Sequence, residues 1–261
     1  MMAALERRLL TEFNVRFSAD DNRIRCFPHV VNIAVQTALK SLSSSSPDPD
    51  PLSPDSPTPV HISPFDISSI SDAAYALALS MDPVGRARIA AVWCRASEFR
   101  RVQWLQTIKN GNEAKDWPDS SDLVLRVVQL LRDVDTRWSS TFGMVDRVLE
   151  LAPAVTRFML KNNAPADIML TQEDFAVLYD IREFLSVPHL VQQQLSFEQT
   201  PTLPQVLPAY ELLLQMLQDL QVTLPRISAA IEEAARKIEQ YMEVEHRKPI
   251  YTVSIGMFPS E

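Results

Sequence analysis

The sequence predicts a mainly α-helical protein, and three observations lead to that prediction. Glycine is scarce, with 4 residues in 261. Long stretches are rich in leucine, alanine, glutamate and arginine, which favour helix over sheet. Through most of the second half of the chain, apolar residues recur at intervals of three and four, as they do on one face of a helix.

The composition is that of a globular chain with a mild negative charge. Hydrophobic residues make up 46% and charged residues 22%, and 25 Lys and Arg against 33 Asp and Glu give a net charge of −8. The chain as a whole is therefore not attracted to DNA, and any nucleic-acid contact must come from a local basic face. No run of about 20 apolar residues predicts a membrane span, and the N-terminus lacks the apolar core of a signal peptide.

Two cysteines predict free thiols in a reducing compartment rather than a disulfide framework. Cys26 and His29 have the C-x-x-H spacing of half a zinc site. A structural zinc needs four ligands, and the remaining candidates have no paired spacing. The alternative is a buried thiol beside a histidine that starts a helix. The remaining candidates are His61, His189, His246 and Cys94.

The N-terminal elements are short. Residues 3–13 predict a helix, Ile24 to Phe27 a brief strand, and Pro28 the start of a helix that ends near Leu42. Residues 43–67 differ in composition from the rest of the chain and are rich in serine, proline and aspartate. Such a segment buries too little apolar area to offset its ordering entropy, so it predicts a disordered linker.

A helix over Ser69–Met81 and a longer one over Val84–Asn110 follow. The longer helix carries the one strongly basic stretch of an acidic chain. Two interpretations stay open, a solvated face that pairs with acids elsewhere and a face that contacts phosphates. Its basic residues are Arg86, Arg88, Arg95, Arg100, Arg101 and Lys109.

Next comes a polar turn between apolar patterns. Gly111–Ser121 predicts a loop, because a glycine can end the helix before it, and Leu123–Leu131 predicts either a strand or a helix. In Asp133–Thr141, the three hydroxyls at its end can each cap a helix. Trp138 and Arg137 suit stacking on a base beside a phosphate; the alternative is a buried Trp138 that anchors the helix start.

The remaining pattern is helical. A capping box at Thr171 and Asp174 opens a helix that Pro188 should break. An apolar seam over Leu203–Leu220 follows, with Pro208 in its first turn or at a kink. Thr223 should cap the last helix.

Two of these segments together resemble the hAT superfamily of transposases. Asp133–Thr141 resembles the family's T-R-W-N-S-T segment, and Arg23–Asn32 resembles its R-x-x-C-x-x-H-x-x-N segment, in the same order along the chain. Pro201–Tyr210 and Lys248–Tyr251 resemble the family's later helical part.

The resemblance implies a helical insertion region of an RNase H-like transposase with a short, incomplete α/β remnant. Residues 1–42 would be the remnant of the core, 43–67 the linker and 68–261 the helical domain. The intact family uses an Asp, Asp and Glu set to hold divalent metal such as Mg²⁺. The order of motifs places that set outside this chain, so no catalytic residue, cofactor or strand-transfer activity is expected.

The resemblance implies that the protein binds DNA in the nucleus. Its affinity would be weak, and His29 would be one of the residues that contact DNA. Homo-oligomers through apolar helices are a second expectation, and a helical protein-interaction module or a non-functional transposon remnant is the alternative function. No membrane partner or small-molecule substrate is expected. The DNA-contacting residues would be His29, Arg137, Trp138, Arg86, Arg88, Arg95, Arg100 and Arg101.

Overall fold

The computed structural model describes residues 2–18, 25–44, 70–117, 123–134, 136–197, 203–246 and 248. These residues are mainly helical and contain no β-strand, so the prediction of a mainly α-helical class is confirmed. The helices are α1 (Met2–Phe13), α2 (Phe27–Ser44), α3 (Asp72–Ser80), α4 (Pro83–Cys94), α5 (Glu98–Ala114), α6 (Trp138–Glu150), α7 (Ala152–Lys161), α8 (Gln172–Phe197), α9 (Leu203–Thr223) and α10 (Ser228–His246). Two 3₁₀ turns lie at Ala166–Ile168 and Pro225–Ile227.

Side-chain caps fix the starts of α3, α4 and α5. The oxygens of Ser71, Asp82 and Ser97 accept hydrogen bonds from the backbone N–H three residues later, at 3.2, 3.0 and 3.1 Å. The cap at Ser97 begins a new helix inside the stretch predicted as one. The single helix over Val84–Asn110 is therefore wrong, and α4 and α5 take its place.

Three predicted helix boundaries are also wrong. Gly111 does not end α5 but lies inside it, where its missing side chain leaves room for the ring of Trp117. Pro188 lies inside α8, because proline removes a single backbone hydrogen bond and the buried residues on both sides keep the helix together. Thr223 is the last residue of α9, and its hydroxyl donates back into that helix rather than capping α10.

The capping box at the start of α8 is confirmed. The backbone N–H of Thr171 donates to the Asp174 carboxylate at 2.7 Å, and the N–H of Asp174 donates to the Thr171 hydroxyl at 3.2 Å. Pro208 lies in the second turn of α9, one turn later than the first of the two predicted placements.

The chain divides into two compact units. The terminal unit comprises Met1–Ala38 and Val187–Glu261, and the central unit comprises Leu39–Ser186. The sequence assigned residues 1–42 and 68–261 to separate domains, whereas this division groups residues from both ends of the chain.

In the terminal unit, α9 packs mainly against α10. The Phe27 ring at the start of α2 lies 4.8 Å from the ring of Tyr210 in α9, between centroids. Much of the seam predicted over α9 is buried, so those side chains are not available to a partner in this conformation. Its buried members are Val206, Leu207, Tyr210, Leu213, Leu214 and Leu217.

The central unit has one core cluster centred on aromatic residues. The ring of Phe158 in α7 meets the rings of Trp104 and Trp93 edge to face, at 5.5 and 6.0 Å between centroids. Residues from α4, α5, α6, α7 and α8 complete the cluster. This core carries the basic helices and the Asp133–Thr141 turn.

Several predicted features lie outside the described residues. They are Ile24 of the brief strand, linker residues 45–67, the polar Asp20–Asp21 turn, and the motif residues Arg23, Asp135, Pro201, Thr202 and Pro249–Tyr251. Of the predicted strand, Arg25 and Cys26 have no regular structure, and Phe27 is already helical. No described helix combines the length and the apolar character that crossing a membrane requires.

Gly111 and Gly143 form a matched pair for testing the packing of the central unit. A Cβ at Gly111 would lie 2.1 Å from Cζ2 of Trp117. That ring is 4% exposed, and its Nε1 donates to Asn112 at 2.8 Å, so the ring cannot move aside easily. Although alanine favours helix by about 1 kcal/mol, we expect Gly111→Ala to lower the free energy of unfolding by about 2 kcal/mol.

The control is Gly143→Ala in α6. Its new Cβ would meet only Cδ1 of Leu131, at 3.5 Å, which is an ordinary contact. Here helix propensity decides the sign, and we expect a gain of about 0.5–1 kcal/mol. Urea denaturation followed by circular dichroism measures both; equal effects would contradict the described packing of Trp117.

Candidate nucleic-acid interface

The Asp133 carboxylate is the centre of the turn that the sequence singles out. The Asp133 side chain is fully buried, and Arg88 of α4 donates to its Oδ2 through Nε at 2.9 Å and Nη2 at 2.6 Å. Two hydroxyls of α6 donate to the same carboxylate, Ser140 at 2.8 Å and Thr141 at 3.0 Å. The carboxylate thereby ties the residues before α6 to α4 and to the first turn of α6.

Burial alone would raise the pKa of Asp133, because it penalises the charged form. The hydrogen bonds from Arg88 and Ser140, with the Arg88 charge and Thr141, outweigh it and hold the pKa below the ordinary aspartate value. Asp133 is therefore ionised at neutral pH and already satisfied by its own chain.

The three hydroxyls at the end of this turn do not act as the predicted helix caps. The N-cap of α6 is Arg137, without a side-chain cap bond. Ser140 instead accepts the backbone N–H of Val134 at 2.9 Å, Thr141 serves Asp133, and Ser139 is exposed. The helix begins at Trp138, so these hydroxyls lie too far inside it to reach the free N–H groups of its first turn.

Trp138 is 2% exposed. This burial agrees with the interpretation of an anchor at the start of α6. In this conformation the ring presents no face on which a base could stack, because stacking requires an accessible ring surface.

The predicted basic stretch is largely engaged inside the chain. Arg86 pairs with the buried Asp174 at 2.7 Å and also donates to the carbonyl of Met169. Burial raises the pKa of Asp174, and the capping bonds from Thr171 and the charge of Arg86 offset only part of that rise. Arg86 and Arg88 thus connect α4 to other segments.

Arg100 and Arg95 also make internal contacts. The Arg100 guanidinium lies 3.9 Å from the centroid of the Trp93 ring and donates to the Trp93 carbonyl at 3.1 Å. Arg95 donates to the carbonyl of Leu130 at 2.5 Å. Arg101 makes only a weak surface pair, 3.4 Å from Glu98.

Three arginines with a single acidic neighbour remain, Arg95, Arg101 and Arg132, and we call them the arginine group. Burial lowers the pKa of the Arg95 guanidinium, and the charges of Arg132 and Arg101 lower it further. Among the described acids, only Glu98 is paired with a member of this group, so the local charge is positive. Arg137, five residues beyond Arg132, is also exposed, and neither of these two guanidinium groups has a hydrogen bond or ion pair with a described residue.

The sequence does not single out Arg132. It lies outside the basic helix, in the apolar segment that precedes the turn. In the sequence, Arg132 looks like a neighbour that could pair with Asp133. The structure shows that Asp133 is instead paired with Arg88.

The segment Leu123–Val134 is neither the strand nor the helix that the sequence allowed. It contains no helix or strand, and the N–H of Val128 donates to the carbonyl of Arg126 at 2.9 Å, which closes a γ-turn at Val127. Other backbone groups of the segment are bonded by side chains. Asn112 accepts the N–H of Leu125 at 2.9 Å and donates to its carbonyl at 2.8 Å. The carbonyls of Val128, Gln129 and Leu130 accept from Trp104, Arg147 and Arg95 at 2.8, 3.0 and 2.5 Å.

The C-x-x-H pair lies at the start of α2, in the terminal unit. The Cys26 carbonyl accepts the N–H groups of His29 and Val30, at 3.0 and 3.1 Å, so the spacing coincides with the first turn of a helix. Both side chains are exposed, so the predicted buried thiol is wrong for Cys26. Among the described residues, no three His, Cys, Asp or Glu side chains gather as metal ligands. Cys94 is the buried thiol, and burial raises its pKa to about 12.

An open groove of about 500 Å³ lies between the extended segment and α6, α7 and α8 of the central unit. Its charged rim is self-neutralised, because Arg126 pairs with Glu150 and Arg182 with Asp146, each at 2.7 Å. The groove therefore lacks the net positive charge that phosphate binding requires.

Comparisons of this chain with protein-family models, with curated proteins and with solved structures found no match. The resemblance to hAT transposases, and the DNA contact of His29 that it implies, stay predictions.

Asp133→Asn tests the buried carboxylate. The change removes the negative charge that Arg88 contacts at Asp133, and breaking a buried pair costs about 3–5 kcal/mol. Because Arg88 keeps 35% of its side-chain surface exposed, we expect a loss near 2–3 kcal/mol in the free energy of unfolding. Ser139→Ala is the matched control in the same turn, with an expected change within about 0.5 kcal/mol. Equal losses would contradict the network.

The same variant predicts a pH dependence. A carboxyl group whose folded-state pKa is depressed contributes stability above its unfolded pKa, and that contribution is lost as the pH falls. The difference in unfolding free energy between wild type and Asp133→Asn should therefore be constant at neutral pH and shrink below about pH 4. Urea titrations at a series of pH values measure it; a difference that grows on acidification would contradict the lowered pKa.

Proposed function

We propose that this protein derives from an hAT-type transposase and holds the DNA backbone through its central unit, in the nucleus. Strand transfer is not part of the proposal. The motif order supports the family, and the arginine group supports the contact. The single observation that carries the proposal is that Arg101 and Arg132 both lie close enough to Arg95 for their charges to act on its guanidinium, with Arg132 exposed and without a described partner.

The other arginines support a narrower contact than the sequence predicted. Arg86 and Arg88 are held by Asp174 and Asp133, so using them on a phosphate would break partly buried ion pairs. Phosphate binding by Arg132 or Arg137 would break no ion pair with a described residue, and binding by Arg101 would break only its surface pair with Glu98. A phosphate is the natural ligand for such a group, because it accepts bidentate guanidinium bonds and needs no base sequence.

A contact of this kind is electrostatic and independent of sequence. The net charge of −8 opposes approach to DNA elsewhere on the surface, so binding should be weak and confined to this patch.

The triple variant Arg101→Gln, Arg132→Gln, Arg137→Gln tests the proposal. None of the three guanidinium groups makes a buried contact with a described residue, so the fold should be unaffected. We expect it to abolish most binding to a fluorescein-labelled DNA duplex of mixed sequence, measured by anisotropy between about 50 and 200 mM salt. The slope of log affinity against log salt should become shallower by up to about three, or about one for each phosphate that the variant no longer neutralises.

The matched control changes the charge equally at exposed lysines of the same unit, as Lys109→Gln, Lys115→Gln, Lys161→Gln. It should keep most of the affinity of the wild type. Equal weakening by both triple variants would mean that charge alone matters, and no binding by the wild type at 50 mM salt would remove the proposal.

A further inference from the structure

The extended segment resembles a β-strand that has no neighbouring strand. The carbonyls of Val128, Gln129 and Leu130 are occupied by side chains of the central unit. In contrast, the backbone N–H groups from Gln129 to Asp133 have no hydrogen-bond partner among the described residues. A run of five consecutive unpaired N–H groups is unusual in a folded chain, where such groups are nearly always bonded to backbone, side chains or water.

Three apolar side chains along this segment are accessible. Val127 and Leu131 are each 39% exposed, and Val134 is 49% exposed. Charged side chains and prolines commonly protect exposed strand edges from pairing. Here the residues Val127–Val134, which we call the open edge, have Arg132 as their one exposed charge.

We propose that the open edge binds an extended segment of another polypeptide, which adds to it as a β-strand. Successive N–H groups of an extended segment point to opposite sides, so main-chain bonds would satisfy those of the unpaired N–H groups that face the added strand. Apolar side chains of the segment would cover Val127 and Leu131. Both are the recognised elements of strand addition. An α-helix fits less well, because its backbone groups are already bonded to one another and would leave the N–H groups of the edge unpaired.

The charge of the edge selects the chemistry of the segment. The Arg132 guanidinium has no partner among the described residues, and the one carboxylate of the edge, Asp133, is buried and bound by Arg88. A second copy of the edge would therefore bring a second Arg132 and no free carboxylate. A segment with an acidic side chain opposite Arg132 gains an attractive cross-strand pair instead. The partner is an apolar, acidic strand of another protein.

The test uses the full chain and two capped peptides of alternating threonine and valine, with glutamate or lysine at the centre. Amide hydrogen exchange with and without each peptide locates binding, and anisotropy of the labelled peptides measures affinity. We expect new protection of alternate N–H groups between Gln129 and Asp133, and about fivefold tighter binding of the glutamate peptide.

Two variants of Arg132 distinguish the contribution of its charge to peptide binding from that of its backbone N–H. Arg132→Glu should reverse the preference, so that the lysine peptide binds more tightly. Arg132→Pro removes an N–H that makes no bond to any described residue and should abolish protection by both peptides. Lys109→Glu, with the same charge change on an exposed helical residue, should leave the preference unchanged.

Three outcomes overturn the proposal. One is no new protection of the N–H groups of Gln129–Asp133 at millimolar peptide, and another is an equal preference for both peptides in the wild type. The third is protection of the N–H groups of Gln129–Asp133 without peptide. If that protection rises with protein concentration, a second copy is the occupant; if it does not, the chain covers its own edge. DNA binding is measured without peptide, so failure of the peptide experiment does not refute the proposed DNA binding, and failure of DNA binding does not refute the proposed strand addition.

Discussion

The central unit depends on one constraint, the removal of the Asp133 carboxylate from water. A buried charge must be compensated, and here Arg88 of α4 and the hydroxyls of Ser140 and Thr141 compensate it together. These partners lie on two helices, so satisfying one carboxylate fixes where α4, α6 and the preceding segment meet. The Asp-to-Thr spacing of the motif is thereby explained by packing, without any ligand.

The same requirement explains why little of the basic sequence is free. The extended segment needs donors for its carbonyls, and Arg95 and Arg147 supply two of them. Arg86 is likewise committed to a buried carboxylate. Arginine serves well here because its several N–H groups satisfy distant oxygens at once while its stem stays apolar. What remains for a ligand is the small set of cations that the fold does not use.

Local sequence patterns predict the helices but not the long-range contacts between them. Spacing of three and four identifies α8, α9 and α10, and the capping box places the start of α8, because those signals lie within one or two turns. The sequence does not reveal the break at Ser97, since a serine cap is equally compatible with a helix interior until its backbone is known. The partner of Arg88 lies 45 residues away, and no short motif encodes such a distance. In the structure, the residue available to contact a ligand is therefore Arg132 and not the buried Trp138.

Arg132 belongs to both proposed contacts, and this has a physical consequence. A single guanidinium already engaged by a peptide carboxylate no longer carries the net charge that attracts a phosphate. A strand on the open edge would also place its own acid beside Arg95 and Arg101, which adds repulsion toward DNA. Occupation of the edge should therefore weaken DNA binding. By thermodynamic reciprocity, bound DNA would weaken the strand by the same factor.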